Sequence, residues 1–286
     1  EGKIDALTSQ GRMQGWIAAV RRWSAMNGKH RRAGFPDRNA EYLFYQTLVG
    51  AWPLTVERAL AYMEKSSREA KQHTNWTEPN AAYDEALKQF ITASMDDGAF
   101  MADVGRFVSL LIAAGQINSL AQTLIKLTAP GVPDIYQGNE LWDLSLVDPD
   151  NRRPVDFDLR LRLLAEVKKI SAEAAWLRRD DGLPKLWLIQ KALALRAGRP
   201  DLFGGGYEAL IARGAKAQHL VAFLRGGLVV IVPRLTLGLN GGWEDTTLTL
   251  PPGNWRSEFC GETFSGSISP EACFKKFPVA LLVRCE

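Results

Sequence analysis

Apolar side chains recur every three to four positions through the first two thirds of the chain, and this spacing predicts helices. The predicted helices cover 13–26, 39–52, 55–63, 83–96, 100–127, 158–176 and 185–197. Asn39 and Thr55 have side chains suited to cap the second and third of them. Because the stretch 100–127 is longer than a usual helix, a break near Gly115 is expected.

A different pattern begins at Pro130. The segment 130–138 is short, apolar at its centre and bounded by proline and glycine, which predicts one buried strand ending at Tyr136. A polar loop, 139–154, follows. After the glycines at 204–206 the spacing becomes that of strands, predicted at 210–213, 219–225, 228–233, 246–250, 255–259 and 277–284.

The change near residue 204 predicts two domains. Residues 1–204 form an α-rich part with one buried strand, and residues 205–286 form an all-β domain of the antiparallel sandwich type. The chain begins at Glu1 rather than at Met, so we expect a portion of a longer protein.

Composition narrows the possible functions. The chain has 286 residues, 46% of them hydrophobic, and Lys plus Arg exceeds Asp plus Glu only by 35 to 32. A net charge of +3 is too small for nucleic-acid binding, and no apolar run approaches the roughly 20 residues that span a bilayer. Three cysteines without CxxC spacing predict neither a disulfide framework nor a zinc site, and they favour the reducing cytoplasm.

The loop 148–154 concentrates polar chemistry directly after the predicted strand. One interpretation is a turn closed by its own hydrogen bonds and ion pairs. A second is a sugar site, since Asp148 and Arg152 would hold an acceptor and a donor side by side for neighbouring hydroxyls. A third is calcium, with Asp148, Asp150 and Asn151 as oxygen ligands, although the EF-hand spacing is absent. The residues alone leave the turn and the sugar site about equally favoured.

Aromatic residues lie in or beside the polar loops at Trp76, Tyr136 and Trp142. Their rings suit the apolar faces of sugars, but a tryptophan is more often simply packed. His73 lies near Trp76 and, as a single histidine, is more often a hydrogen-bonded structural residue than a catalyst.

Longer strings of residues resemble maltooligosyl trehalose synthase, a family of the α-amylase superfamily. The most specific are Leu127–Asp143 and Ser145–Val155, which contain a Gly-x-Pro-x-Ile-Tyr-x-Gly segment followed by Asp-Pro-x-x-Arg. Phe35–Pro53, Lys71–Thr77 and Pro278–Leu282 agree with the same family. The resemblance covers nearly all of this chain but less than half of a family member.

The resemblance implies the C-terminal end of a (β/α)₈ barrel whose last strand is 133–136. It also implies a helical insertion before that strand and a β-sandwich after the barrel. Active sites of such barrels lie at the C-terminal ends of the strands, where the loop 139–154 would begin. This geometry favours the sugar-site interpretation of the loop.

The implied reaction converts the reducing-end α-1,4 linkage of a maltooligosaccharide into an α-1,1 linkage by intramolecular transglycosylation. A nucleophilic carboxylate and an acid/base carboxylate would act as in retaining glycosidases. In the family these two carboxylates lie on earlier strands of the barrel. A third catalytic carboxylate lies just before a stretch that resembles Ile4–Ser9. No residue of this chain matches a catalytic carboxylate, so the chain alone is expected to be inactive.

The resemblance implies that the chain contributes substrate-binding residues, no metal site and no cofactor. The expected substrate-binding residues are His73, Trp76, Tyr136, Gln137, Asn139, Glu140, Asp148 and Arg152. The implied partners are a maltooligosaccharide, the missing N-terminal barrel segments and, functionally, a maltooligosyl trehalose trehalohydrolase. Two alternatives remain: a non-catalytic carbohydrate-binding or interaction module, and part of an ordinary α-amylase-type hydrolase.

Overall fold

The structure is a computed structural model that describes residues 12–240 and 242–285, with only the backbone for Arg12 and Met13. The stretch Ile4–Ser9 resembles the family's sequence just after its third catalytic carboxylate, and it lies outside the described residues.

The helical positions predicted from the apolar spacing are confirmed. The helices are α1 (Arg12–Asn27), α2 (Arg38–Gly50), α3 (Val56–Ala70), α4 (Ala81–Asp96), α5 (Gly98–Ser109), α6 (Ile112–Thr128), α7 (Phe157–Val167), α8 (Ala172–Leu177), α9 (Leu183–Gly198) and α10 (Pro270–Phe274). The single helix expected over 158–176 is wrong, because α7 ends at Val167 and a new cap at Ser171 starts α8.

One predicted cap is confirmed and one is wrong. The Thr55 side chain accepts a hydrogen bond from the backbone N–H of Arg58 and caps α3. The cap of helix α2 lies two residues earlier than expected, because the Asp37 carboxylate accepts from the N–H groups of Asn39 and Ala40. A carboxylate is favoured there because it faces the positive end of the helix dipole.

The break in the long helical stretch lies at Leu110 and Leu111, not near Gly115. There the backbone changes to bonds between residues three apart, with Leu111 N–H donating to Val108 O at 2.8 Å. Gly115 continues α6, since its N–H donates to Leu111 O. Helices α5 and α6 meet at 51°; together they have the length and composition of a membrane span, whereas no single described helix does.

The strand expected within 130–138 is not formed with any described residue. Residues 132–136 have no regular secondary structure, and Val132 is 97% exposed and Tyr136 is 45% exposed. A strand is stabilised by a hydrogen-bonded neighbour, and no described strand is hydrogen-bonded to this segment. The expectation of a buried strand is therefore wrong for the chain as described.

Within residues 12–240 and 242–285 the strands all follow Gly206, as the change of pattern predicted. They are β1 (Tyr207–Leu210), β2 (Leu220–Arg225), β3 (Leu228–Pro233), β4 (Leu248–Thr249), β5 (Trp255–Ser257), β6 (Thr263–Phe264), β7 (Ser267–Ile268) and β8 (Ala280–Arg284). Six of them form an antiparallel sheet in the order β1-β2-β3-β8-β5-β6, and β4 pairs with β7 in a separate ribbon.

The central strand β3 is buried along its whole length because both faces of the sheet are covered. Val230 lies opposite Phe223 and Leu281 and faces helices α6 to α9. Its neighbours Val229 and Ile231 face the β4–β7 ribbon and α10. An uninterrupted apolar run is typical of a strand buried on both faces.

Helices α1 to α5 enclose a core of their own, centred on Trp23, Phe44 and Phe100. A second core joins α6 to α9 to the large sheet, with Trp187 packed against Phe259 and Phe277. This second core contains residues from both sides of position 204. The domain boundary there stays a prediction.

Candidate functional site

The loop 139–156 is held at its beginning by helix α7. Arg160 donates from Nε to Glu140 Oε2 at 2.9 Å and from Nη2 to the carbonyl of Gly138 at 2.8 Å. Glu140 in turn accepts from the N–H of Gly138 at 3.0 Å. The predicted site residue Glu140 therefore folds the start of the loop, beside Asn139, whose N–H donates to Tyr136 O.

Helix α3 holds the other end of the loop. Arg58 donates two hydrogen bonds to the Asp150 carboxylate, both at 2.8 Å, and a third to the carbonyl of Leu144 at 2.7 Å. The N–H of Leu146 donates to the same carboxylate at 2.6 Å. Bidentate arginine–carboxylate pairs are strong and directional, so they fix the path of the loop. Asp150 thus shapes the loop.

The fixed loop presents Asp148 and Arg152 to solvent as an ion pair between Arg152 Nε and Asp148 Oδ1. Their side chains are 45% and 70% exposed. Lys65, two turns along α3 from Arg58, donates to the backbone carbonyl of Asp148. A carboxylate and a guanidinium on partly exposed side chains therefore stand side by side, with the Oδ1 atom of Asp148 itself covered.

Asp148 and Asp150 belong to separate ion pairs. Asp148 faces Arg152 and Lys65, whereas Asp150 faces Arg58 and Arg153. The hydrogen bonds from Arg58 are the main reason that the pKa of Asp150 lies below its usual range, and the same contact raises the pKa of Arg58. The arrangement keeps Asp150 charged, which maintains the loop conformation at neutral pH.

Replacing Asp150 by Asn should destabilise the protein at neutral pH by about 1–3 kcal/mol, because Arg58 loses its charged partner. A carboxyl with a lowered folded pKa contributes stability above the unfolded pKa, about 3.9, and loses it as pH falls through the folded value. The difference between wild type and Asp150→Asn should therefore shrink in acid. Urea unfolding at neutral and acid pH measures it, with the exposed Asp158→Asn as control. An equal difference at both pH values would contradict this account.

His73 lies in an aromatic and acidic setting between α3 and α4. Its ring stacks on Tyr83 at 4.9 Å between centroids and meets Phe35 edge-on at 5.4 Å. Its Nε2 atom is 3.6 Å from Asp37 Oδ2, which also accepts from the Tyr83 hydroxyl at 3.0 Å. Burial and the bond to Asp37 raise the pKa of Tyr83 to about 12, so it stays a donor. His73 is thus tied to the carboxylate that caps α2.

Two further predicted residues are accessible aromatics. Trp76 is 56% exposed, with the Arg68 guanidinium 4.8 Å from its ring centroid. Tyr136 is 45% exposed, and Gln137 beside it is also exposed. The structure therefore brings Asp148 and Arg152 into direct contact and gives His73, Trp76 and Glu140 separate partners.

The residues that position the loop were missed in the sequence analysis. Arg58 and Lys65 are seven positions apart, which places them on one face of α3, but their loop partners lie more than 80 positions away. Arg160 contacts Gly138 from the following helix. Only the helical spacing of Arg58 and Lys65 could have indicated a shared role.

The chain is an α-and-β protein in which helices pack on an antiparallel sheet. Its loop 139–156 carries the Asp148–Arg152 ion pair and is a candidate sugar-binding loop. No protein-family model matches the chain. A Mycobacterium tuberculosis protein (strain CDC 1551 / Oshkosh), named for maltooligosyl trehalose synthase, is 38% identical over 259 residues, covering 87% of this chain and 32% of that protein.

Solved structures agree. Maltooligosyltrehalose synthase from Arthrobacter ramosus superposes with a TM-score of 0.86 at 39% identity, covering 99% of this chain and 36% of that one. A hypothetical maltooligosyl trehalose synthase of Sulfolobus tokodaii gives a TM-score of 0.76 at 28% identity, over 99% and 36%. The resemblance to maltooligosyl trehalose synthase is confirmed, and this chain corresponds to about a third of such an enzyme.

Proposed function

We propose that the chain is the C-terminal portion of an enzyme that converts the reducing-end α-1,4 linkage of maltooligosaccharides into an α-1,1 linkage. The observation that carries the proposal is the exposed Asp148–Arg152 pair, held by Arg58 and Lys65 in a chain that matches a third of the synthases. The enzyme would act in trehalose biosynthesis, in the cytoplasm.

The proposal includes the end of a (β/α)₈ barrel, with 133–136 as its last strand. The support is the segment 132–136, which pairs with no described strand and in which Val132 is 97% exposed. Helix α7 also leaves Phe157 and Leu161, one turn apart, 54% and 64% exposed. Apolar groups in these positions are what a strand and helix would bury against further barrel segments. The sheet after Gly206 would be the β-sandwich that follows the barrel.

In the proposed mechanism Asp148 and Arg152 bind hydroxyls of the sugar beside the cleaved bond, remote from its anomeric carbon. The nucleophile and the acid/base would be carboxylates of the missing N-terminal segments, acting as in retaining glycosidases. The released glucose would be retained, turn and attack through its anomeric hydroxyl. Retention requires that water be excluded while the glucose is held in place. The product would serve a maltooligosyl trehalose trehalohydrolase.

Product analysis of the full-length enzyme tests the proposal. With maltopentaose, we expect loss of reducing ends with little free glucose, because the glucose is transferred and not released to water. Reducing-end assay and chromatography measure both. Glucose release with reducing ends conserved or increased would indicate an α-amylase-type hydrolase, and binding without turnover would indicate a carbohydrate-binding module.

A further inference from the structure

Lys185 lies in the first turn of helix α9, where that helix meets the start of the loop 139–156. The turn and the loop are in close contact, because a Cβ atom added at Gly182 would lie 2.9 Å from the backbone nitrogen of Trp142. The residues on either side of Lys185 in α9 are buried, whereas Lys185 keeps part of its own surface exposed. The amine therefore stands at the edge of a core and can still be reached by a small molecule.

The positive charge of Lys185 has no direct partner within residues 12–240 and 242–285. None of these residues forms an ion pair with its ammonium group or accepts a hydrogen bond from it. Asp143 and Glu140 attract the ammonium group from beyond contact distance, and Glu140 is already paired with Arg160. The lone pair of the neutral amine would therefore be free to react.

Three features of the fold disfavour the charged form of this amine. Burial removes water from the ammonium group, the positive end of the α9 dipole lies in the same turn, and Lys126 of α6 adds a positive charge nearby. Burial first, and then Lys126, lower the pKa of Lys185 to about 8, against the opposing effect of Asp143 and Glu140. An ordinary lysine, with a pKa of about 10.4, is almost fully protonated at neutral pH, whereas Lys185 is partly neutral there.

We propose that Lys185 is an acylation site that reacts with activated carboxylic acids of the acyl phosphate class. The neutral nitrogen attacks the acyl carbon, so that a C–N bond forms and the C–O bond to phosphate breaks. The electron pair leaves with the phosphate, and the surplus proton passes from nitrogen to water. Desolvation and a neighbouring cation are the usual means by which a lysine becomes such a nucleophile.

Acylation cancels the positive charge that attracts Asp143 and Glu140, and it places an amide at the start of the loop 139–156. The site goes beyond the proposed function and does not depend on it, since neither Asp148 nor Arg152 takes part.

Trace acylation of the chain with acetyl phosphate tests the site, with the modified lysines identified by peptide mass spectrometry. At about pH 7.5 the neutral fraction of Lys185 is roughly 200-fold larger than that of an ordinary lysine, although a less basic nucleophile is intrinsically weaker. We therefore expect Lys185 to react at least about tenfold faster than the exposed Lys88 and Lys168. Its rate should reach a plateau above about pH 8, whereas the rates of the two controls should keep rising.

Two substitutions should move that plateau in opposite directions. Lys126→Met removes a nearby positive charge, so the plateau should move to higher pH and Lys185 should react more slowly at neutral pH. Asp143→Asn removes a negative charge, so the plateau should move to lower pH. Lys88→Met removes the same charge as Lys126→Met but from α4, and it should leave the plateau in place.

Three results would overturn the inference. The first is a Lys185 rate no greater than those of Lys88 and Lys168. The second is an advantage of Lys185 that persists when the chain is unfolded in guanidinium chloride, because the reactivity would then come from the local sequence and not from the fold. The third is a plateau that stays unchanged in both Lys126→Met and Asp143→Asn. Each of them would leave the proposed function untouched.

Discussion

Incubated with maltopentaose, the chain by itself should form no maltooligosyl trehalose. The catalytic carboxylates of the proposed mechanism belong to segments outside this sequence, and enzymes of this kind accelerate their reactions by at least about 10⁶-fold. The loop that would bind the sugar is present, but it offers no paired nucleophile and acid. The measurement is the amount of non-reducing product after prolonged incubation, compared with buffer alone.

The same structure predicts that the remainder of the enzyme restores activity. Val132, Phe157 and Leu161 are apolar and exposed, so burying them against the missing barrel segments is favourable by roughly 25 cal/mol for each Å² covered. Co-expression of this chain with the N-terminal two thirds of such a synthase should therefore give a complex with activity.

Leu161→Glu would place a charge in the new interface and should weaken that complex, whereas the exposed Leu110→Glu, at the break between α5 and α6, should not. Product formed by the pure chain would refute the assignment of catalysis to the missing segments. A mixture that neither associates nor acts would refute the barrel-end assignment of 133–136.

In a full-length version of the enzyme, Asp148→Ala and Arg152→Ala should each lower kcat/KM by roughly tenfold or more. In the free protein their ion pair is exposed and worth only about 0–1 kcal/mol, so stability should hardly change. Under a bound sugar the pair is shielded from water, and removing one partner leaves the other unpaired at a cost of about 1–3 kcal/mol. Since 1.36 kcal/mol corresponds to tenfold, the loss should appear in kinetics.

The matched control is Arg153→Ala, which removes the same charge one position away. Arg153 donates to Asp150 O at 2.9 Å and to Ser145 Oγ at 3.0 Å, so it shapes the loop and is expected to affect kcat/KM less. Steady-state kinetics and melting temperatures should be recorded for all three variants. If Asp148→Ala and Arg152→Ala keep the wild-type kcat/KM, or lose activity only because they unfold, the loop is a turn closed by its own ion pairs and not a sugar site.

Local signals in the sequence determined much of the secondary structure. The unbroken apolar run of β3 was predicted at its observed bounds, Leu228–Pro233, because both faces of the sheet are buried and every position must be apolar. Thr55 was predicted as a cap because capping uses only the next few backbone N–H groups. The residue strings of the loop also indicated the family, which the comparisons confirmed.

Tertiary structure decided what depends on distant partners. The helical break lies at Leu110–Leu111 and not at Gly115, because the chain passes there from the core of α1 to α5 toward the core shared with the sheet. The segment 132–136 has strand-like composition, yet a strand needs a neighbour that a local pattern cannot supply.

The geometry of the candidate site was decided in the same way. Asp148 and Arg152 were recognisable from their spacing, since they lie four positions apart in one loop. The hydrogen bonds from Arg58 to Asp150 join residues 92 positions apart, and no local pattern contains both residues. Sequence determines which side chains can pair, whereas folding determines which of them meet, because ion pairs and hydrogen bonds act only at short range.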